Sequence, residues 1–297
     1  MRAVVEIALL TFREASRRRL VLVGITLGVA FVALYGTALW LVLRNAPCGP
    51  MARPCATPFQ LAQYRGAVNI LALAGLYVAN LLTLATAVLL PVDTLSGEIA
   101  SGVAETLASK PIHRAEIVLG KWAAYFLLVL AFLLVTSGGI LGTVWVITRV
   151  VTGGTGFVVP GAPQGLPIML LAATVMLTVS VAGGSRLSTV TNGMVAFGIF
   201  GLGFLGGWLE QIGEFVIQTP LARQAIRDVG TIVSLLTPAD ALWRLAASHM
   251  MPPIARDLPI TPFSSLYPPS TAMVVWGIGY AGVTLLAALR WFGRRPL

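Results

Sequence analysis

Residues 67–92 read AVNILALAGLYVANLLTLATAVLLPV, twenty-six positions without a single charged side chain. A helix of that length rises about 39 Å at 1.5 Å per residue, which exceeds the ~30 Å hydrocarbon core of a bilayer. Lipid offers the backbone no hydrogen-bond partners, so a crossing segment must pair its amides internally, as a helix or within a closed barrel. Barrel strands would read as alternating segments of about ten residues. The run from Ala67 to Val92 is apolar all round and shows no such alternation. It is expected to be a transmembrane helix.

The same reading extends outward in both directions. Residues 20–43, 122–148 and 187–209 also carry no charge, and 166–184 and 271–289 are just long enough to cross. Six spans result. The whole chain agrees: 57% of its 297 residues are hydrophobic and only 10% charged, with a mean hydropathy of +0.87. A soluble domain carries roughly 25% charged residues, so soluble enzyme classes are nearly excluded. The expected fold is an all-α integral membrane protein forming one permease-like domain over residues 1–297, embedded in the lipid bilayer.

The remaining charges sort by side. With the N-terminus in the cytoplasm, the inner face receives Arg2, Arg13, Arg17, Arg18, Arg19, Lys110, Arg114, Lys121, Arg186, Arg290, Arg294 and Arg295, which is 12 of the 20 basic residues. Basic residues flanking spans favour the cytoplasmic side, so both termini are expected inside, in the plasma (cytoplasmic) membrane. The formal charge of +9 is thereby absorbed by topology, and no nucleic-acid partner is implied. No cleavable signal peptide is read in residues 1–19, which hold three adjacent arginines and no long apolar core. Residues 3–19 instead pattern as an interfacial helix. Val5, Ala8, Leu9, Phe12 and Ser16 fall near one face, with Glu6, Arg13, Glu14 and Arg17 largely on the other.

On the outer side, Cys48 and Cys55 stand among Pro47, Pro50, Pro54 and Pro58. Two cysteines cannot make a four-ligand zinc site, and no metal is expected. An oxidising compartment favours a disulfide between them; two unpaired thiols are the alternative, and the spacing does not decide. The outer-face segment 210–270 is long. Within it Val229 to Met251 starts apolar and then meets Pro238, Asp240 and Arg244. Charges at mid-bilayer cost roughly 2.5–3.5 kcal/mol each even on lenient scales. The segment is therefore expected as helices lying on or dipping into the outer leaflet, not as a seventh span.

Between spans two and three lies DTLSGEIASGVAETLASKPIHRAEIVLGK, residues 93–121, which carries four acids and three bases. Ile99, Val103 and Leu107 recur at helical spacing over 96–109, with Glu98 and Glu105 turned elsewhere. Pro111 breaks that helix. A second helix starting near His113 is expected to run through Glu116 and Leu119 into span three. The whole is a short helix across the inner face, joined by a bend to a transmembrane helix.

This loop resembles the first cytoplasmic loop of ABC transporter permeases of the type-2 exporter class, whose pattern is a Glu, a Gly four residues on, then a "tleTLlskPisR" core closing with "GK". Glu98, Gly102, Glu105, Thr106, Leu107, Ser109, Lys110, Pro111, Arg114, Glu116, Gly120 and Lys121 occupy those positions. His113 departs from the usual small polar residue and Ala108 from a larger apolar one. The motif covers about 28 residues. The Thr237-Pro238-Ala239-Asp240 stretch with Trp243-Arg244 also resembles the "nPxdxxR" stretch of these permeases, and the closest subgroup accompanies nitrous-oxide-reductase maturation. The resemblance implies a coupling helix that docks into a groove on a separate cytosolic ATPase. It makes Glu98, Ile99, Gly102, Val103, Glu105, Thr106, Leu107, Lys110, Pro111, Arg114, Glu116, Gly120 and Lys121 the ATPase-coupling residues. Apolar anchors at 99, 103 and 107 with charges at the rim suit helix-in-groove docking. It further implies a second permease copy, identical or related.

Several alternatives lose ground on residues that are missing. No Walker A pattern occurs, since Gly120-Lys121 is followed by Trp122 and lacks the upstream glycine. ATP and Mg are thus expected on the partner and no cofactor or catalytic residue on this chain. The span interiors hold no Asp, Glu, Lys, Arg or His, and ion-driven carriers usually place such groups there. Asn69, Asn80 and Asn192 are expected to bond between helices, and Gly24/Gly28, Gly138/Gly142 and Gly203/Gly207 to allow close packing. The expectation is the membrane subunit of an ATP-driven exporter of an apolar or amphipathic substrate. Its rival is a membrane scaffold whose segment 210–270 docks an extracytoplasmic partner without any ATPase.

Overall fold

A computed structural model describes residues 2–17, 19–44, 57–100, 113–152, 155–216, 219–251 and 268–294. Cys48, Cys55 and the loop from Gly102 through Pro111 lie outside these residues.

The described chain forms helices α1 (Arg2–Ser16), α2 (Arg19–Leu43), α3 (Pro58–Leu89), α4 (Thr94–Ala100), α5 (Arg114–Thr152), α6 (Ala162–Gly184), α7 (Thr189–Val216), α8 (Pro220–Leu236), α9 (Pro238–Met250) and α10 (Ala272–Gly293), with no strand among the described residues. Six of them, α2, α3, α5, α6, α7 and α10, are long and apolar enough to cross a membrane. They are the six spans expected from the charge-free runs.

Their ends extend beyond those runs. Helix α3 starts at Pro58 rather than Ala67, because Thr57 caps it by accepting from the Gln60 amide at 3.3 Å and proline suits the first turn. It carries Arg65 on an exposed face. Helix α5 begins at Arg114, as expected for a helix starting near His113. The His113 amide donates to Glu116 Oε2 at 3.4 Å while the Glu116 amide donates to the His113 carbonyl, a capping-box pair. A charge ends a hydrophobic run, but it does not end a helix.

Successive spans alternate in direction. Asp93, Arg114, Thr189 and Gly293 gather at one end of the bundle, hereafter the Asp93 end, through the Thr189–Asp93 and Arg114–Gly293 hydrogen bonds. Two buried clusters fill the interior. One, towards the Asp93 end, includes Leu84, Val88, Val118, Tyr125, Met176, Leu177 and Phe292. The other, towards the far end, includes Leu39, Leu76, Ile140, Met169, Trp243 and Met250. Helix α6 contributes to both and is flanked by α3, α5, α7, α9 and α10.

Helix α1 has two working faces, of which the sequence reading saw one. Val5 and Leu9 are 57% and 54% exposed, so the apolar face already recognised points outward. Ile7, Thr11 and Ala15, spaced by four, are buried instead. The α1 backbone lies so close to α5 that a Cβ at Gly120 would stand 2.8 Å from Ile7 and 2.9 Å from the Val4 carbonyl oxygen.

The segment after α7 holds two helices, neither of them among the six candidate spans, and one of them packs inside the bundle. Helix α9 is 13 residues long, about 20 Å, too short to cross a bilayer. Nearly all of it is nevertheless buried, Trp243 and Arg244 included, against α6, α7, α8 and α10. Helices α8 and α9 meet at Thr237–Pro238 and form a hairpin seated on α7. Three glycines make the seat. A Cβ at Gly203 would approach Thr237 Oγ1 to 2.7 Å, one at Gly206 would approach Val233 to 2.5 Å, and one at Gly207 would run into the Asp240 carboxylate. At the other end of α9, Gly161 has φ +68 and packs on the His249 carbonyl. Of the other expected small-residue pairs, Gly28 meets Phe132 and Thr136 of α5, while Gly24, Gly138 and Gly142 face open space.

Candidate functional site

The charged loop begins where α3 ends. Pro91 lies in the turn after Leu89, and the chain re-enters a helix at Thr94, two residues before the expected start. The Gly97 amide donates to the Asp93 carbonyl at 2.9 Å. Gly97 also packs on the Asp93 carboxylate, where a Cβ would find no room. Helix α4 is thus the described stem of the loop. Glu98 and Ile99 lie in it.

Two sets of hydrogen bonds fasten this stem to the spans. On one side, Lys121 of α5 donates from Nζ to the Thr94 carbonyl at 3.4 Å, and Thr94 Oγ1 bonds the Tyr125 hydroxyl at 2.6 Å. Lys121 is only 4% exposed and Tyr125 only 1%. On the other side, Thr189 at the start of α7 donates to Asp93 Oδ1 at 2.7 Å and lies 2.9 Å from Ser96 Oγ. Ser96 Oγ also donates to the Val92 carbonyl at 3.0 Å.

Behind these, Asn192 Nδ2 donates to the carbonyls of Val92 and Ser180, at 3.1 and 2.9 Å. Ser180 Oγ donates to the Val88 carbonyl at 2.8 Å. The last turn of a helix leaves carbonyls without an intrahelical donor, and polar side chains of α6 and α7 supply donors at the end of α3, to the Val92 carbonyl in addition to Ser96.

The coupling residues named from the sequence therefore divide. Gly102, Val103, Glu105, Thr106, Leu107, Lys110 and Pro111 lie outside the described residues. Arg114 is on the surface, where its guanidinium donates to the Gly293 carbonyl at 3.3 Å and ties α5 to the end of α10. Glu116 serves the α5 cap. Gly120 and Lys121 face inward: the first receives α1, the second holds α4. Asp93, Thr94, Ser96, Tyr125 and Thr189 were not singled out from sequence, although Asp93 is the first acid after span two and so marks where the helix meets water. Asn192 does bond between helices as expected, and so does Asn69, whose Nδ2 donates to the Met250 carbonyl at 3.2 Å.

Among the described residues no group of three or more His, Cys, Asp or Glu could hold a metal ion. What the arrangement offers is mechanical: a short helix bolted to two spans, with a charged loop beyond it.

The family model for the ABC-2 family transporter protein matches residues 7–297. The six candidate spans define a polytopic helical membrane protein, and the family match adds the transport class. The chain belongs to the ABC-2 transporter family, as a permease embedded in the membrane that is not itself catalytic and works with a partner ATPase subunit. No curated protein matches it.

Proposed function

We propose that this permease couples ATP binding and hydrolysis on a separate cytosolic ABC ATPase to export of an apolar or amphipathic substrate. Residues 93–121 form the coupling element, and the Asp93 end faces the cytoplasm of the plasma membrane with both termini on that side. Two permease copies, identical or related, work with two ATPases, which hold the ATP and Mg. The loop's likeness to permeases of nitrous-oxide-reductase maturation makes that subgroup our working placement.

The observation that carries the reading is the double attachment of α4. Its first turn is bonded to α5 through Lys121, Thr94 and Tyr125, and to α7 through Asp93, Ser96 and Thr189. A push on the loop beyond Ala100 thus reaches two spans through short, satisfied hydrogen bonds and does not dissipate in a slack connector. Each such bond contributes roughly 0.5–1.5 kcal/mol net, more where a charge takes part. Together they make the stem and the two spans move as a piece. In this reading Gly120 and Lys121 act behind the contact surface, by holding α1 and α4 in place. Ile99, Val103 and Leu107 supply the apolar contact, with Glu98, Glu105 and Arg114 at its rim.

The test is co-purification. The C-terminally tagged chain, extracted in mild detergent, is expected to bring down an ABC ATPase in near-stoichiometric amount. A Glu105→Lys, Arg114→Glu double variant that still inserts is expected to lose it. Retained binding by that variant, or reproducible absence of any ATPase from the wild type, would sink the coupling reading and turn attention to an extracytoplasmic partner on the 210–270 segment.

A further inference from the structure

Helix α2 leans on α5 over only part of its length. A Cβ at Gly28 would stand 2.9 Å from Thr136, one at Gly36 would stand 3.0 Å from Thr143, and one at Gly139 would stand 3.1 Å from Val32. One turn nearer the Asp93 end the close contact is gone, since a Cβ at Gly24 would meet nothing within 4 Å. There a cleft of about 260 Å³ opens between α2, α3 and α5. It runs from Leu82 to Leu90 along α3, about 12 Å at 1.5 Å per residue. That is shorter than the ~15 Å half-thickness of the hydrocarbon core, so the cleft belongs to one leaflet, the one at the Asp93 end.

The cleft is built for hydrocarbon. Its floor is Val21, Leu90, Leu128 and Phe132, all buried. Its rim is open to the surrounding lipid, with Leu27, Leu89 and Val135 54%, 41% and 50% exposed. Among the described residues Thr86 alone brings a polar side chain to the lining, and its hydroxyl already donates to the Leu82 carbonyl at 2.7 Å. A held water needs two to four polar partners, which this lining does not offer. Drug-sized ligands occupy roughly 300–1,000 Å³. The smaller volume suits a single slim chain.

Charge marks the Asp93 end of the cleft. Arg19 begins α2 two residues before Val21, and Arg17 stands two residues earlier, both exposed. Residues 13–19 hold four arginines against one acid, Glu14. Among the described residues no hydrogen bond or ion pair takes up the guanidinium of Arg17 or Arg19. Asp93, which follows α3, has its carboxylate engaged by Thr189 of α7. Cations at a span end attract anionic headgroups, and here they stand beside a slot for the chain below.

We propose that this cleft holds one acyl chain of an anionic glycerophospholipid from the leaflet at the Asp93 end, with the phosphate at Arg17 and Arg19. Inside the bilayer burial from water gives no drive, so packing in the cleft retains the chain and the arginines select the headgroup. A neutral lipid fills the cleft without the charge, and a soluble anion meets the charge without the cleft. Binding needs neither ATPase nor nucleotide, so its failure and the failure of the coupling reading are read apart.

The purified full chain, delipidated in non-ionic detergent, is titrated with dioleoyl phosphatidylglycerol, dioleoyl phosphatidylcholine and dihexanoyl phosphatidylglycerol, and bound adducts are counted by native mass spectrometry. The first is expected to bind about tenfold or more tightly than the second, in keeping with about fivefold for each arginine near a headgroup. The third, whose chains are too short to fill the cleft, is expected to bind at least about tenfold more weakly than the first. The Arg17→Gln, Arg19→Gln double variant is expected to bring the two dioleoyl lipids within about twofold of each other. Gly24→Phe, which places a ring in the open space of the cleft, is expected to abolish saturable binding of dioleoyl phosphatidylglycerol. The lipid comparison on the unaltered chain stands whether or not that variant folds. Equal binding of the two dioleoyl lipids, or of the long- and short-chain phosphatidylglycerols, would overturn the proposal. Loss of a permease dimer in Gly24→Phe with lipid adducts unchanged would assign the cleft to a second copy of the chain and overturn it as well.

Discussion

Thr189→Val isolates one of the two attachments of α4 while keeping the shape of the side chain. The hydroxyl it removes donates to Asp93 Oδ1 at 2.7 Å and lies 2.9 Å from Ser96 Oγ. A bond to a charged acceptor contributes roughly 1.5–3 kcal/mol, and a neutral one roughly 0.5–1.5. Asp93 is exposed, so water replaces much of what it loses, and Ser96 keeps its bond to the Val92 carbonyl. The lower end of the scale applies, about 1.5 kcal/mol in all, which is close to tenfold in the equilibrium for local opening.

Hydrogen exchange on the full chain in nanodiscs reads this directly. Amides of α4 are expected to exchange about tenfold faster in the variant, with those of α9 unchanged as an internal reference. Asp93→Ala acts on the same bond, so the double variant is expected to open no more than the worse single variant, within about 0.5 kcal/mol. Unchanged exchange over 94–100 would refute the claim that Thr189 holds the stem. So would an equal rise in α9, which would signal general loosening instead.

Three further substitutions probe the hairpin and its seat. Gly161→Ala places a Cβ on a residue at φ +68 and against the His249 carbonyl. The left-handed conformation alone costs about 1–2 kcal/mol, so the melting temperature should fall by several degrees, and an unchanged melt would contradict the packing described. Gly207→Val drives a side chain into Asp240, an overpacking of about 1–3 kcal/mol; trypsin should then cut faster at Arg223 or Arg227, and equal cleavage rates would count against the seat. Asp240→Leu leaves Arg244 buried beside a hydrocarbon, an expected loss of about 3–5 kcal/mol, which the Asp240→Leu, Arg244→Leu pair should largely recover. If the double variant melts as low as the single, the pair is not what makes the single harmful.

The spans could be read from the sequence because each rests on one local property, the absence of charge over some twenty residues. Their ends could not, since Thr57 capping α3 and the His113–Glu116 pair capping α5 are hydrogen-bonding events that hydropathy does not register. Helix α9 was harder still. Its Asp240 and Arg244 spoke for a surface location, and what buries them is their pairing with each other together with three glycines on another helix. The face of α1 formed by Ile7, Thr11 and Ala15 was hidden for a similar reason: Thr11 and Ala15 are too weakly apolar to stand out until Gly120 admits the helix. At the stem, the charges of the loop drew attention to residues that would meet a partner. The residues that hold the stem are mostly hydroxyls, and Thr occurs in every span.

Helix α6 is the most enclosed of the six spans, 67% buried against 11% for α2 and α10, and it is ringed by α3, α5, α7, α9 and α10. The described bundle is thus built around one span as its axle, while α2 and α10 turn most of their surface away from the core they help to enclose.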